Sequence, residues 1–303
     1  MITEKTSVSD IMRRAYERKI LIPAFNASYL PMIKPIVDTL KETHTFGLVE
    51  VARPEVEKFG AKSFQQVAEM YYALADLRFT RLHLDHIPVI DEDGKRVNWE
   101  PLIQMGLRLG YHSLMIDGSR LSLEENIEVT RRVVELCHKY NRPVEAELGA
   151  VLGHESGPLP PYEELFQSGK GFTDPKEAEC FVAETKVDWL SVAIGNIHGA
   201  ISGVAKDREK VPARLNIEHL KIINQLTKIP LVLHGGSGIQ KEYIVEAVKN
   251  GISKMNIGTS IRQIYERSLL ENPSDVQAAQ EKVALKIRDL IKEYEIIGSW
   301  ERL

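Results

Sequence analysis

The chain has 303 residues and a formal net charge of −4, more than one small core needs and the size of a single α/β barrel. That mild negative charge excludes a dominant nucleic-acid or anionic-membrane surface, and apolar runs no longer than a strand exclude a transmembrane helix. The segment Met1–Ser9 is polar, unlike a signal peptide. Cys137 and Cys180 form no CxxC or disulfide framework and are expected to be buried thiols in a reducing cytoplasm.

Short β-rich runs alternate with amphipathic helical windows along the chain. Ile20–Phe25 reads as the first strand, followed by a helix over Leu30–Thr43. Gly47–Val51 is the second strand, with a helix over Ser63–Leu77, and Arg81–Asp85 is the third, with a helix over Trp99–Leu109. Ser113–Ile116 is the fourth, followed by Leu123–Lys139, where Ile127, Val134 and Cys137 share a face. Val144–Leu148 is the fifth, and Asp174 with Pro175 in the first turn predicts a capped helix start. Trp189–Ala193, Leu231–His234 and Lys254–Ile257 complete eight strands, and Asp275–Tyr294 predicts an extra C-terminal helix. Eight such units predict one domain over residues 1–303, an α/β fold of the (β/α)8 TIM-barrel type. A doubly wound open sheet is the alternative, but GxGxxG does not open the first helix. Two long connections stand out, His86–Asn98 and Ala150–Thr173. The second, rich in glycine and proline, is either a lid or a plain insertion.

Catalytic groups of such barrels project from the C-terminal strand ends. There the sequence places Asn26, Glu50, Arg53, the run His83-Leu84-Asp85-His86, Asp117, Glu147, His198, His234 and Asn256. His86, His198 and His234 each follow a strand directly, and three neutral imidazoles with an open position make a catalytic zinc site. One histidine so placed is more often structural, whereas three on one rim favour the metal. His83 shares a face with Asp85 and is either a further ligand or an orienting group. His44, His112, His138 and His219 fall on helices or their edges and read as solvated or packed. The Gly235-Gly236-Ser237-Gly238 turn leads into one helix, and Asn256, Gly258 and Thr259 open the next. Glycine turns at helix N-termini after strands seven and eight suit a phosphate, with ordinary turn chemistry as the competing reading.

The motifs PAFN (Pro23–Asn26), HLDH (His83–His86), MIDGS (Met115–Ser119) and EAELG (Glu145–Gly149) carry a resemblance, as do TDP (Thr173–Pro175), AIGNIHG (Ala193–Gly199), LVLHGGSG (Leu231–Gly238) and KMNIGT (Lys254–Thr259). From about Ile22 to Ser299 the chain resembles the class II, metal-dependent ketose-bisphosphate aldolases of the fructose- and tagatose-bisphosphate type. The resemblance implies a lyase of carbohydrate metabolism that cleaves or forms the C3–C4 bond of a ketose (bis)phosphate through a zinc-stabilised enediolate. It would release dihydroxyacetone phosphate and an aldehyde. It further implies His86, His198 and His234 as zinc ligands and Asp85 as the acid/base. Glu155 would be the mobile-loop glutamate that removes the C1 proton. Asp117 and Glu147 would hold a possible second divalent ion or orient the site. Gly199, Gly235, Ser237, Asn256 and Thr259 would cradle the phosphate, with Asn26, Gly236 and Gly258 on the same rim. A monovalent cation beside the phosphate and assembly as a homodimer or homotetramer are also implied.

The sequence departs from that family pattern on one side. Ile87-Pro88 follow HLDH, the segment around Asp91-Glu92-Asp93-Gly94 is long, Arg120 replaces a common histidine, and Gly258 replaces a common aspartate. The second strand ends in Val51-Ala52-Arg53-Pro54, where relatives often place a serine for the distal phosphate. The dihydroxyacetone-phosphate half therefore matches and the aldehyde half does not. The aldehyde is expected to differ from glyceraldehyde 3-phosphate, with Arg53 or Arg120 pairing an acidic or altered distal group. Structural ion pairs are the competing reading of both arginines. A metal-dependent sugar epimerase on the same fold and a non-catalytic aldolase-like subunit are the other functions open.

Overall fold

The computed structural model describes residues 2–151, 161–198 and 213–303. Its strands are β1 (Ile22–Asn26), β2 (Gly47–Val51), β3 (Thr80–Pro88), β4 (Ser113–Asp117), β5 (Val144–Leu148), β6 (Trp189–Val192), β7 (Leu231–Leu233) and β8 (Ile252–Ile257). They close into a parallel barrel in chain order, and β8 returns to β1 through Ala24↔Asn256 and its neighbours. The expected (β/α)8 TIM barrel is the observed fold. Nearly every strand residue is buried, because helices cover the outer face while side chains fill the inside.

The helices in chain order are α1 (Val8–Arg18), α2 (Ile33–Glu42), α3 (Arg53–Glu57), α4 (Phe64–Leu74), α5 (Trp99–Arg108), α6 (Leu123–His138) and α7 (Tyr162–Ser168). There follow α8 (Pro175–Thr185), α9 (Ile217–Thr227), α10 (Lys241–Lys249), α11 (Thr259–Glu271), α12 (Val276–Glu293) and α13 (Ser299–Arg302). Asp174 caps α8 as expected, accepting from the amides of Lys176 and Glu177. The extra C-terminal helix is α12, and the Asp275 carboxylate accepts the Ala278 amide at its start. No helix among the described residues is long and apolar enough to cross a membrane.

Four features depart from the sequence reading. Helix α1 lies inside a stretch dominated by charge. Its Val8, Ile11, Met12 and Ala15 nevertheless fall on one face and are buried. They pack with Phe46, Leu48, Trp189, Val232 and Leu303, closing the barrel at the N-terminal ends of the strands. Strand β3 runs three residues past its expected end at Asp85. The connection after it is ordered, with a bridge between Ile90 and Arg96 and with Asp91 accepting the amides of Asp93 and Lys95. Cys180 is exposed on α8, unlike buried Cys137, because its position faces away from the barrel.

Arg81 ties the chain start to this floor. Its buried guanidinium donates to the carbonyls of Thr3, Glu4 and Thr6 at 3.2, 3.2 and 2.8 Å, and to Thr80. Charge-assisted bonds of this kind carry more than neutral ones. Arg81→Ala is expected to cost roughly 2–4 kcal/mol in denaturant unfolding, and an unchanged midpoint would show that the floor does not depend on it.

Candidate active site

The C-terminal strand ends surround one cavity of about 280 Å³. Asn26, Asp85, His86, Asp117, Glu147, His198 and Asn256 reach its wall from β1, β3, β4, β5, β8 and the segment after β6. The three candidate histidines come together there. Ring centroids lie 4.5 Å apart for His86 and His234, 5.2 Å for His86 and His198, and 5.8 Å for His198 and His234. One nitrogen from each lies within 4.8 Å of the other two.

A bulge in β3 makes this meeting possible. Leu84 pairs with Leu114 and Ile87 with Ile116, so β3 spends one residue more than β4 over the same stretch. The extra residue falls at Asp85-His86, and His86 takes φ of 36°, a strained value for a non-glycine residue. In a regular strand these neighbours would face opposite sides of the sheet. With the bulge both enter the cavity.

Hydrogen bonds set the roles of the ring nitrogens. His198 Nδ1 stands 3.0 Å from the Val151 carbonyl, which only accepts, so Nδ1 carries the hydrogen and Nε2 the lone pair. His234 Nε2 donates to Glu145 at 2.8 Å, and Nδ1 stands 3.2 Å from Glu147. That Nδ1 is buried and has no hydrogen-bond partner among the described residues. His86 Nδ1 stands 3.3 Å from Asp117, whose other oxygen accepts from the Ser119 amide and hydroxyl at 3.0 and 2.6 Å. Burial opposes charge on both imidazoles, yet Asp85 and Asp117 bring His86 up to about 9, and Glu145 with Glu147 brings His234 up to about 10. His86, Asp117 and Glu147 form a second cluster with ligand atoms within 4.8 Å. His83 stays apart from the three: it is buried, bonds Ser113 Oγ at 2.8 Å, and burial holds it neutral, down at about 3.

Asp85 is fixed from both sides, its two oxygens accepting from Asn26 Nδ2 and Asn256 Nδ2 at 3.0 Å each. Burial opposes its charge, but His86, His234 and Lys254 outweigh burial and hold the carboxyl below its usual range. Behind it lies a fully buried ion pair that sequence reasoning missed. Lys254 Nζ reaches Glu145 at 2.9 Å and Asn256 Oδ1 at 2.7 Å, and Trp189 Nε1 donates to Glu145 at 2.7 Å. Glu50, 3.2 Å from Nζ, is pushed well up by burial and by Asp85. The signal was present as alternation: Glu145 with Glu147 on β5, and Lys254 with Asn256 on β8, put charge on the inner face of buried strands.

The glycine turn after β7 and the start of α11 also line the cavity. Gly235 has φ of 66°, and a Cβ there would lie 2.0 Å from the Ile197 carbonyl oxygen. At Gly236 it would lie 2.5 Å from Met255 Cγ. Only glycine fits this packing. Ser237 Oγ accepts the Ser260 amide at 3.3 Å, and α11 opens at Gly258 without a side-chain cap of its own. Its first N–H groups at Gly258 and Thr259 therefore stand at the cavity. Arg262, missed in the sequence, is buried at the same wall, stacked on Phe59 at 4.7 Å and paired with Glu266 at 2.6 Å. Arg53 lies in the wall at the β2 end, bound to Glu57, and Arg120 lines the mouth and is exposed. Glu155 and Gly199 lie outside the described residues.

The family described as fructose-bisphosphate aldolase class-II matches residues 6–298. The chain belongs to the class II fructose-bisphosphate aldolase family. As a member it is a lyase, and the family acts on phosphorylated sugars and is generally metal-dependent. Among solved structures, the chain is similar to the YdjI aldolase from Escherichia coli K12 at 26% identity, covering 97% of this chain and 98% of that one, with a TM-score of 0.76. It shares its fold with a fructose-bisphosphate aldolase from Campylobacter jejuni at 19% identity, covering 97% and 96%, with a TM-score of 0.72.

Lys254→Met would leave Glu145 without a counter-ion inside the barrel. Breaking a buried pair from one side is expected to cost about 3–5 kcal/mol, read by denaturant unfolding. Adding Glu145→Gln should recover part of that loss, and strictly additive losses would mean the two are not coupled.

Proposed function

We propose that this lyase is a zinc-dependent aldolase that cleaves and forms the C3–C4 bond of a ketose phosphate, releasing dihydroxyacetone phosphate and an aldehyde. The convergence of His86, His198 and His234 on one point beside the doubly held Asp85 carries the reading. Three imidazoles with one nitrogen from each within 4.8 Å of the others fit an ion with an open position. The ion, when bound, supplies a Lewis acid for the ketose carbonyl.

The chain's own groups do the rest. The amides at Gly235, Gly258 and Thr259 hold the phosphate, so the reacting carbons are positioned before bond cleavage. Asp85, ionised and bonded only through donors, takes the proton from the C4 hydroxyl in cleavage and returns it in condensation. Glu145 keeps Nε2 of His234 protonated, leaving Nδ1 to face the ion. Asp117 orients His86 in the same manner, and with Glu147 it is the candidate holder of a second divalent ion. Glu155 remains the candidate for the C1 proton. We further propose a single domain, a cytoplasmic location and a homo-oligomer, with a monovalent cation at the phosphate as in the family pattern.

Two outcomes test the centre. Asp85→Ala should keep its metal yet lose about 100- to 10,000-fold in triose release, measured with a coupled dehydrogenase; turnover at the parental rate would remove Asp85 from that role. His86 and His234 are charged at neutral pH in the metal-free protein, and a ligand imidazole must be neutral. Zinc loading at pH 7 should therefore release at least one proton per ion. The release should shrink as pH rises towards 9, and apparent affinity should fall as pH drops. Calorimetry in two buffers of different ionisation enthalpy reads this, and zero proton release would exclude the assigned ligands.

A further inference from the structure

The Asn256 amide that holds Asp85 has two unlike ends, an acceptor oxygen and a donor nitrogen, and half a turn of the side chain exchanges them. Its neighbours fix the choice. Lys254 Nζ lies 2.7 Å from Asn256 Oδ1, and an ammonium only donates. Asp85 Oδ1 lies 3.0 Å from Asn256 Nδ2, and an ionised carboxylate only accepts. The rotated amide would set donor against donor and acceptor against acceptor, with a charge on each side. Lys254 is fully buried, and Asp85 and Asn256 nearly so, so solvent screens these contacts little. The ammonium is itself anchored. It projects from the same inner face of β8 as Asn256, and Nζ stands 2.9 Å from Glu145 and 3.2 Å from Glu50.

We propose that Lys254 is a positioning residue for proton transfer: by locking the Asn256 amide it keeps an N–H on Asp85 and aims that carboxylate at the substrate hydroxyl. This rests on the aldolase reading above. Asn26 bonds the other oxygen of Asp85 at 3.0 Å. With both amides in place the carboxylate cannot turn, and each oxygen keeps a lone pair for a hydroxyl proton. Without the Asn256 donor, the carboxylate swings about the remaining bond to Asn26. A displacement of about 1 Å in a reacting group can cost about 100-fold in rate. Lys254 does not line the cavity. Among the described residues, one route leads from it through Asn256 to Asp85, and another through Glu145 to His234. The first route bears on bond making and breaking, the second on the metal, so experiment can separate them.

The test uses the full chain at saturating zinc and reads two rates with dihydroxyacetone phosphate. Exchange of its C1 proton with deuterated solvent needs the metal and the phosphate cradle. Condensation with an aldehyde, the best of glyceraldehyde, glyceraldehyde 3-phosphate, erythrose and threose, needs Asp85 as well. Lys254→Met should lower condensation about 100-fold, through kcat rather than KM, while exchange and zinc content stay near wild type. Asn256→Ala removes the link itself, so adding Lys254→Met to it should cost condensation little more. If Lys254→Met does not fold, Lys254→Met/Glu145→Gln is compared with Glu145→Gln, where no buried carboxylate is left bare. Unchanged condensation, equal losses in both rates, loss of zinc, or a loss that adds in full to that of Asn256→Ala overturns the proposal. Those outcomes leave the aldolase reading standing, provided the wild type exchanges and condenses. A wild type that does neither brings both down, and one that exchanges but condenses no aldehyde removes Asp85 from its role and this proposal with it.

Discussion

The buried contact between the Lys254 ammonium and the Glu145 carboxylate organises the rest of the site. Removing two charges from water is costly, and the pair is tolerable only because further bonds meet the remaining donors and acceptors. Glu145 also accepts from Trp189 and His234, and Lys254 also donates to Asn256. Asn256 passes the constraint to Asp85. One pair in the barrel interior thus orients both a proposed metal ligand and the proposed acid/base, which lie 149 residues apart in the chain. Glu50, on the other side of Lys254, is pushed well up by burial and by Asp85, which disfavours a second charge against the pair.

Around this core, charge is distributed by region. In the metal-free state His86, His234 and Lys254 all press Asp85 to stay ionised. The cradle adds helix N-terminal donors, which favour an anion.

The fold was readable because hydrophobic strand runs are local. β2 and β5 have the boundaries expected of them, and α12 differs from its expected range by one residue at each end. Helix α1 was overlooked, although its apolar spacing is regular, because charged residues surround it. The end of β3 was misplaced for another reason: a bulge belongs to the pairing of two strands, and neither strand alone reports it. At the site, the candidate residues at strand ends were visible, since their position in the barrel is implied by the strand count. Lys254 and Glu145 were passed over because their meaning depends on each other across the barrel.

The bulge at Asp85-His86 also bears on how this sequence can change over time. Two neighbouring side chains reach one space only while the additional residue persists. Losing a single residue between Leu84 and Ile87 would restore the ordinary pleat and turn one of them outward, against the helical layer. The proposed proton handling and ion capture are thereby tied to one short insertion, so neither can drift away while the other is kept. Descendants of such a chain would retain the pair or forfeit it whole.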